Sequence, residues 1–366
     1  MLVLYLLYYA YWLRWINLNR QLNEINLLRA IACIAVVVTH SITNYAKTYE
    51  PALFDQDKFI TYFRFALLWA TPVFVMISEV LISKNYPNGV RKGFLLKRVK
   101  YILVPYILIG LLKSYMHSEG QWSVFFQRSW EIVVLGHWHG FFVLVIFQFY
   151  ILHILLGRFL QKSHPLPPIL ISFILSFTYL YIHAGNKEYR VFIEQVYPFW
   201  DRTIFIGWLF YFVVAFYIGQ NYERVLIFFT KHFYIPLITA VVSYVMMMNR
   251  VMDRVFVSVK SDRYDMLIFA LSVFILALVL LRMIKKPNHT LIKLSHFSFF
   301  IYLTHQLTLP YLSNLTQTVA NTFWSHVVIL TFLGLATSIG WAMLFYESRL
   351  TKLFTGRIKA LDQLAR

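Results

Sequence analysis

The stretch "LLRAIACIAVVVTH", residues 27–40, is built almost wholly of side chains that suit hydrocarbon. It nevertheless carries a permanent cation, Arg29, near one end and a titratable ring, His40, at the other. At 1.5 Å per residue a helix sets the two about 16 Å apart along its axis, offset by three turns. An ionisable side chain inside a membrane span costs roughly 2.5–3.5 kcal/mol on insertion scales, which makes each a functional candidate.

The rest of the chain fits a membrane setting. Of 366 residues, 59% are hydrophobic and 14% charged, and the mean hydropathy is +0.61. A soluble domain is about 25% charged, so most of this surface is expected to face lipid. Crossing a hydrocarbon layer of ~30 Å takes about 20 apolar residues in a helix. Ten stretches qualify: 25–46, 59–83, 99–117, 139–157, 166–184, 203–219, 232–248, 264–284, 296–314 and 325–346. The predicted fold class is therefore all-α, a polytopic bundle of about ten transmembrane helices, with kinks expected at Pro72, Pro105, Pro236 and Pro310.

The net charge of +18 raises the question of nucleic acid, and the placement of the charges answers it. With the N-terminus in the cytoplasm, twenty-one of the 34 lysines and arginines fall in inner segments, while eleven of the 16 acids fall in outer loops. That asymmetry is a topology signal, so both termini are expected in the cytoplasm. The partner implied is anionic membrane lipid and no nucleic acid. Cys33 is the only cysteine, which excludes internal disulfides and cysteine-based metal clusters; it reads as a small packing residue. Residues 1–23 form an apolar, aromatic extension, an interfacial anchor or a start-site artefact. The main domain covers 24–350, and 351–366 is a basic tail.

Depth sorts the buried charges. Arg29 lies about 6 Å above the inner end of the first span and His40 about 22 Å above it. Arg29 either snorkels to the headgroups or binds an anion. His40 is either a neutral ring bonded to a neighbouring helix or a base, since its unperturbed pKa of about 6.5 suits proton transfer. Glu79 sits near the level of Arg29, and a buried Arg29–Glu79 pair is expected. Arg64 lies nearer the level of His40, and His305 falls halfway across the ninth span. Arg91, Lys92, Lys97, Arg98 and Lys100 form an inner basic cluster, which reads either as a phosphate site or as simple anchoring. In "GHWHG", His137 and His139 lack an evident third ligand, so no metal is expected; Trp138 reads as an interfacial or sugar-stacking ring. Asp201 and Arg202 read as an exposed pair at an outer mouth.

With those residues in view, Arg-x10-His at the start of the first span resembles the signature of the acyltransferase 3 family of membrane proteins. "TPVFVMISEVLIS" (71–83) resembles that family's second helix. "LKRVKYILVPYI" (96–107) resembles its basic loop and proline-bearing third helix, and "SFFIYLTHQ" (298–306) its late histidine helix. The resemblance covers roughly 24–350. Within the family, "GHWHGFFVLVIFQFYIL" and "GWLFYFVVAFYIGQNYERVL" look like the intercellular-adhesin C branch, linked to modification or export of poly-N-acetylglucosamine.

The resemblance implies an O-acyltransferase. His40 would activate a sugar hydroxyl, Arg29 would help hold the donor, and Glu79, Arg64 and His305 would support them. Acetyl-CoA or succinyl-CoA would be the donor, met by Arg98, Lys97, Lys100 and Arg91. The acceptor would be a cell-envelope glycan or its lipid-linked precursor, near Trp138 and His139, with polysaccharide synthase subunits as possible partners and the cytoplasmic membrane as the location. Two positions depart from the family pattern: Tyr101 stands where a second arginine follows Arg98, and Glu79 replaces the glycine after Ser78. The alternatives are an exporter of the polysaccharide and a structural subunit of its synthase.

Overall fold

The computed structural model describes residues 22–50, 53, 57–197, 199–252, 259–348 and 350–358. Among these every regular element is helical. The expected extension over 1–23 lies outside the described residues up to residue 21, and the basic tail does so beyond residue 358.

Helix α1 (Asn23–Thr48) holds the opening stretch. It is followed by α2 (Lys58–Ala66) and α3 (Ala70–Asn85). Next come α4 (Phe94–Arg98), a π turn over Val99–Leu103, and α5 (Val104–Met116). An outer helix α6 (Trp122–Ser129) runs into a second π turn, Trp130–Val134. The chain continues through α7 (Phe142–Lys162), α8 (Leu166–Gly185) and α9 (Lys187–Val196). It then forms α10 (Leu209–Gln220), α11 (Tyr222–Lys231), α12 (Tyr234–Met252) and α13 (Met266–Arg282). The final elements are α14 (His289–Gln317), α15 (Phe323–Tyr346) and a short α16 (Lys352–Thr355).

Six of the described helices or helix pairs are long and apolar enough to cross a membrane, or seven if the pair Phe205–Gln220 and Tyr222–Lys231, bent by 95°, counts as one. The ten stretches read from sequence all fall on helices, but three miss that standard for physical reasons. Helix α5 is 13 residues long and α13 is 17. Helix α14 has length to spare at 29 residues, but Ser295, Ser298, Thr304, His305 and Gln306 make it too polar. The prolines also behave differently from expectation. Only Pro310 lies inside a helix. Pro72, Pro105 and Pro236 sit in the first turns of α3, α5 and α12, where a missing N–H leaves no bond unmade.

Helix α1 is the central post. It packs most extensively on α14, and also on α15, α3 and α13. Small residues make the close approach possible: Ala30 and Ala32 are fully buried, and Cys33, also buried, sits with its thiol against the Ser298 carbonyl of α14. Helices α8 and α12 lie at the rim, with only 22% of their apolar windows covered by protein. Exposed Ile171, Ile174, Val241 and Val242 suit contact with lipid tails.

Two contacts fix α3 in the bundle. Gly219 of α10 lies so close to it that an added Cβ would fall 2.7 Å from both the Ser83 side chain and the Val80 carbonyl oxygen. Glu79, fully buried, accepts a hydrogen bond from His153 Nδ1 of α7 at 2.6 Å. The expected pairing of Glu79 with Arg29 is thus replaced by one with His153, because α7 presents a ring at that depth directly against α3.

Gly219→Ala is expected to lower the thermal midpoint in detergent, by an amount equivalent to roughly 1–3 kcal/mol of overpacking. Glu79→Ala removes one partner of a buried pair, a loss of about 3–5 kcal/mol. Glu79→Gln, which retains an acceptor for the His153 N–H, is expected to lose clearly less in the same melting experiment.

Candidate active site

A cavity of about 360 Å³ opens beside the upper part of α1. His40 lines it, together with Arg64 of α2, Trp138 and His139 of the loop before α7, and Tyr302 and Gln306 of α14. The imidazole therefore faces a chamber in the protein rather than lipid.

Backbone chemistry fixes the rings around His40. The His305 ring centroid is 5.1 Å away and that of His139 is 6.2 Å away, and these two are 5.0 Å from each other. His305 Nδ1 lies 2.8 Å from the Ile301 carbonyl oxygen one turn earlier, and His139 Nε2 lies 3.2 Å from the Leu303 carbonyl oxygen. A carbonyl oxygen only accepts, so both ring nitrogens carry hydrogen. His305 Nε2 and His139 Nδ1 are then bare acceptors, each buried with no partner among the described residues. His139 is brought to this place by its neighbours. Trp138 is buried, its ring tilted at 45° against Tyr106 with centroids 5.3 Å apart, and Gly140 leaves room for it, since a Cβ there would meet the indole at 2.5 Å.

Three imidazoles converge here, yet among the described residues no group of three or more His, Cys, Asp or Glu could hold a metal ion. His137 points away, exposed, with its ring 5.9 Å from that of Trp200.

Cations stand around the chamber. Arg64 donates from Nη2 to Thr43 Oγ1 at 2.7 Å. Arg202, read from sequence as half of an exposed pair with Asp201, lines the cavity instead. Its Nε and Nη2 both donate to Asp262 Oδ1 at 2.8 Å, and its guanidinium covers the Phe141 and Trp200 rings at 4.5 and 4.9 Å. Asp201 takes His183 as its partner, at 2.9 Å.

Arg29 is absent from this chamber. It lies half-buried at the lower end of α1, within electrostatic reach of Tyr150 on α7. Arg98 reaches the same tyrosine, its guanidinium 5.2 Å from that ring and 4.8 Å from Phe94. Ser78 hydrogen-bonds the Tyr150 hydroxyl at 3.3 Å. Tyr150 therefore links Arg29 with one member of the predicted basic cluster. Arg91, Lys97 and Lys100 are exposed, with Lys100 over the Tyr101 ring at 5.6 Å.

Sequence reading thus named His40, Arg64, Trp138, His139 and His305, which the fold gathers at one end, and Arg29 with Arg98, which it gathers at the other. It passed over Gln306, Tyr302, Tyr150 and His153. Gln306 adjoins His305 in the quoted "SFFIYLTHQ", and its polarity within a span was the available signal.

Comparison with known proteins identifies the family. A family model described as an acyltransferase domain matches residues 22–346. A Bacillus subtilis protein named "Putative membrane-bound acyltransferase YfiQ" is 34% identical over 291 residues, covering 78% of this chain and 80% of its own length. The "Probable poly-beta-1,6-N-acetyl-D-glucosamine export protein" of Staphylococcus aureus strain MSSA476 is 33% identical over 338 residues, covering 91% and 95%. Its Staphylococcus epidermidis namesake is 32% identical over 339 residues, covering 91% and 94%. No solved structure matches. With apolar helices fit to cross a bilayer and a family model spanning nearly its whole length, the chain is an integral membrane protein and belongs to the acyltransferase 3 family.

Proposed function

We propose that this protein transfers an acetyl or succinyl group from acyl-CoA to a hydroxyl of a cell-envelope polysaccharide or its lipid-linked precursor. The observation that carries the reading is the position of His40: an imidazole turned into an aromatic-lined chamber, on the same helix as Arg29 and about 16 Å above it. The charge asymmetry of the loops supports a cytoplasmic-membrane protein of ten spans with both termini inside. In that orientation the Arg29–Tyr150–Arg98 group faces the cytoplasm, where acyl-CoA is made, and the chamber faces the other compartment.

The donor supplies a thioester carbonyl at the end of a long thin arm, and the residues at each end suit its parts. Arg98 and Arg29 bring planar guanidinium donors of the kind that match phosphate oxygens, and the exposed Lys97, Lys100 and Arg91 add positive charge at the entrance. At the other end, His40 takes the proton from the acceptor hydroxyl as its oxygen bonds to the acyl carbon. The carbon–sulfur bond breaks, and the proton passes from His40 to the departing thiolate. The bare nitrogens of His305 and His139 offer acceptors to neighbouring sugar hydroxyls, and Trp138 offers a ring face for stacking.

One observation favours a second reading, export of the polysaccharide itself. The chamber has walls of Trp138, Phe141, Trp200 and Tyr302, and the staphylococcal relatives are named for export. A single variant separates the two readings. In proteoliposomes supplied with acetyl-CoA or succinyl-CoA and β-1,6-linked N-acetylglucosamine oligomers, mass spectrometry is expected to find acylated product with the native protein. His40→Ala is expected to reduce the rate by roughly 10²–10⁴-fold at unchanged protein level. Acylation by that variant at the native rate refutes the enzymatic role. Arg98→Ala is expected to raise KM for acyl-CoA about tenfold, equivalent to about 1.4 kcal/mol of binding, with kcat less affected.

A further inference from the structure

The side-chain amide of Gln306, one residue beyond His305 on α14, places its nitrogen 2.5 Å from His40 Nδ1, and a half-turn of the amide brings its oxygen to the same place. We infer that Gln306 is the residue that sets the tautomer of His40, presenting its carbonyl oxygen to an Nδ1–H so that Nε2 is the free base. This deepens the proposed function and rests on its use of His40.

A neutral imidazole has one N–H and one bare nitrogen, and the partner of one decides the state of the other. Where a histidine acts as a base, a carboxylate commonly fills this orienting place. Here none does: among the described residues the carboxylates paired with histidine belong to His153 and His183. The groups facing His40 are His305 from α14, Arg64 from α2, Lys113 from α5, Arg202 from the segment before α10 and His139 from the loop before α7. Every one is cationic or neutral. His305 and His139 have committed their N–H groups to the Ile301 and Leu303 carbonyls, and their bare nitrogens make no hydrogen bond to His40, so neither orients the His40 ring. The Gln306 amide is left as the side chain in hydrogen-bond contact with it.

An amide can offer that nitrogen either its NH2 or its oxygen, and the two ends have nearly the same shape. With the NH2 inward, Nδ1 is the acceptor, Nε2 carries hydrogen, and the ring cannot take a proton from a hydroxyl. With the oxygen inward, Nδ1–H is held and Nε2 is bare. Only the second orientation serves a base, and it also favours the imidazolium formed in the reaction without placing a carboxylate in an apolar bundle. Gln306 is accordingly a positioning residue acting through His40.

Nitrogen-15 spectra of histidine-labelled native protein in lipid bilayers at pH 8, with His40 assigned by difference from a His40→Asn sample, read the tautomer directly. Hydrogen on Nδ1 is expected, and hydrogen on Nε2 overturns the inference. In the CoA-release assay with acetyl-CoA or succinyl-CoA and the same sugar oligomers, Gln306→Leu is expected to lower kcat roughly 10- to 100-fold with little change in KM. Gln306→Glu, which restores an oxygen acceptor and adds charge, is expected to recover part of that loss and to move the acid limb of the pH–rate profile to higher pH. Native kcat in Gln306→Leu, or an unmoved acid limb in an active Gln306→Glu, overturns it. If His40→Ala stays active, the reading of His40 as a base has failed. If His40→Ala is inactive and Gln306→Leu is not impaired, only the role of Gln306 has failed.

Discussion

Placing an imidazole in a helix made for hydrocarbon imposes the constraint on which the rest of this bundle depends. A ring nitrogen with no water nearby must find its partner in protein, so the helices that pass His40 have to supply one. Helix α14 does so with Gln306, and it adds His305 one residue earlier. The result is a helix too polar to count as an ordinary span, pressed against the central post α1. Small residues on α1 make that closeness possible, and the aromatic-lined chamber lies beside the same helix.

The same rule acts lower down. Glu79 is a fully buried carboxylate, and such a group without a partner is costly. His153 on α7 meets it, so the carboxylate is partnered by a neighbouring helix rather than by Arg29. Arg29 instead shares the surroundings of Tyr150 with Arg98. The two arginines arrive from different helices and converge on one ring, so the lower end of α1 has a cationic character that does not depend on the exposed lysines nearby.

How far the sequence was legible follows from which of these facts are local. Apolar runs and their lengths place the helices, and depth along a helix separates Arg29 from His40. Both follow from 1.5 Å per residue and need no knowledge of neighbours. Pairings across helices do. Nothing local distinguishes Arg29 from His153 as the partner of Glu79, or Asp201 from Asp262 as the partner of Arg202, since each choice depends on which faces of two helices meet. The prolines misled for a related reason: a proline within an apolar run reads as a kink, whereas here three of four mark the start of a helix after a bend or π turn. The late histidine helix was recognised by its motif, yet the glutamine beside the histidine only acquires meaning when α14 lies against α1.

Arg29 and His40 are proposed to mark the two ends of one passage through which an acyl group is handed across. A cryo-electron microscopy map of the protein in lipid nanodiscs with a non-hydrolysable acyl-CoA analogue tests it most directly. The account predicts the acyl end of the analogue beside the His40 ring and its phosphates near Arg29 and Arg98. An analogue bound with its acyl end outside the chamber, or phosphates remote from both arginines, would contradict it.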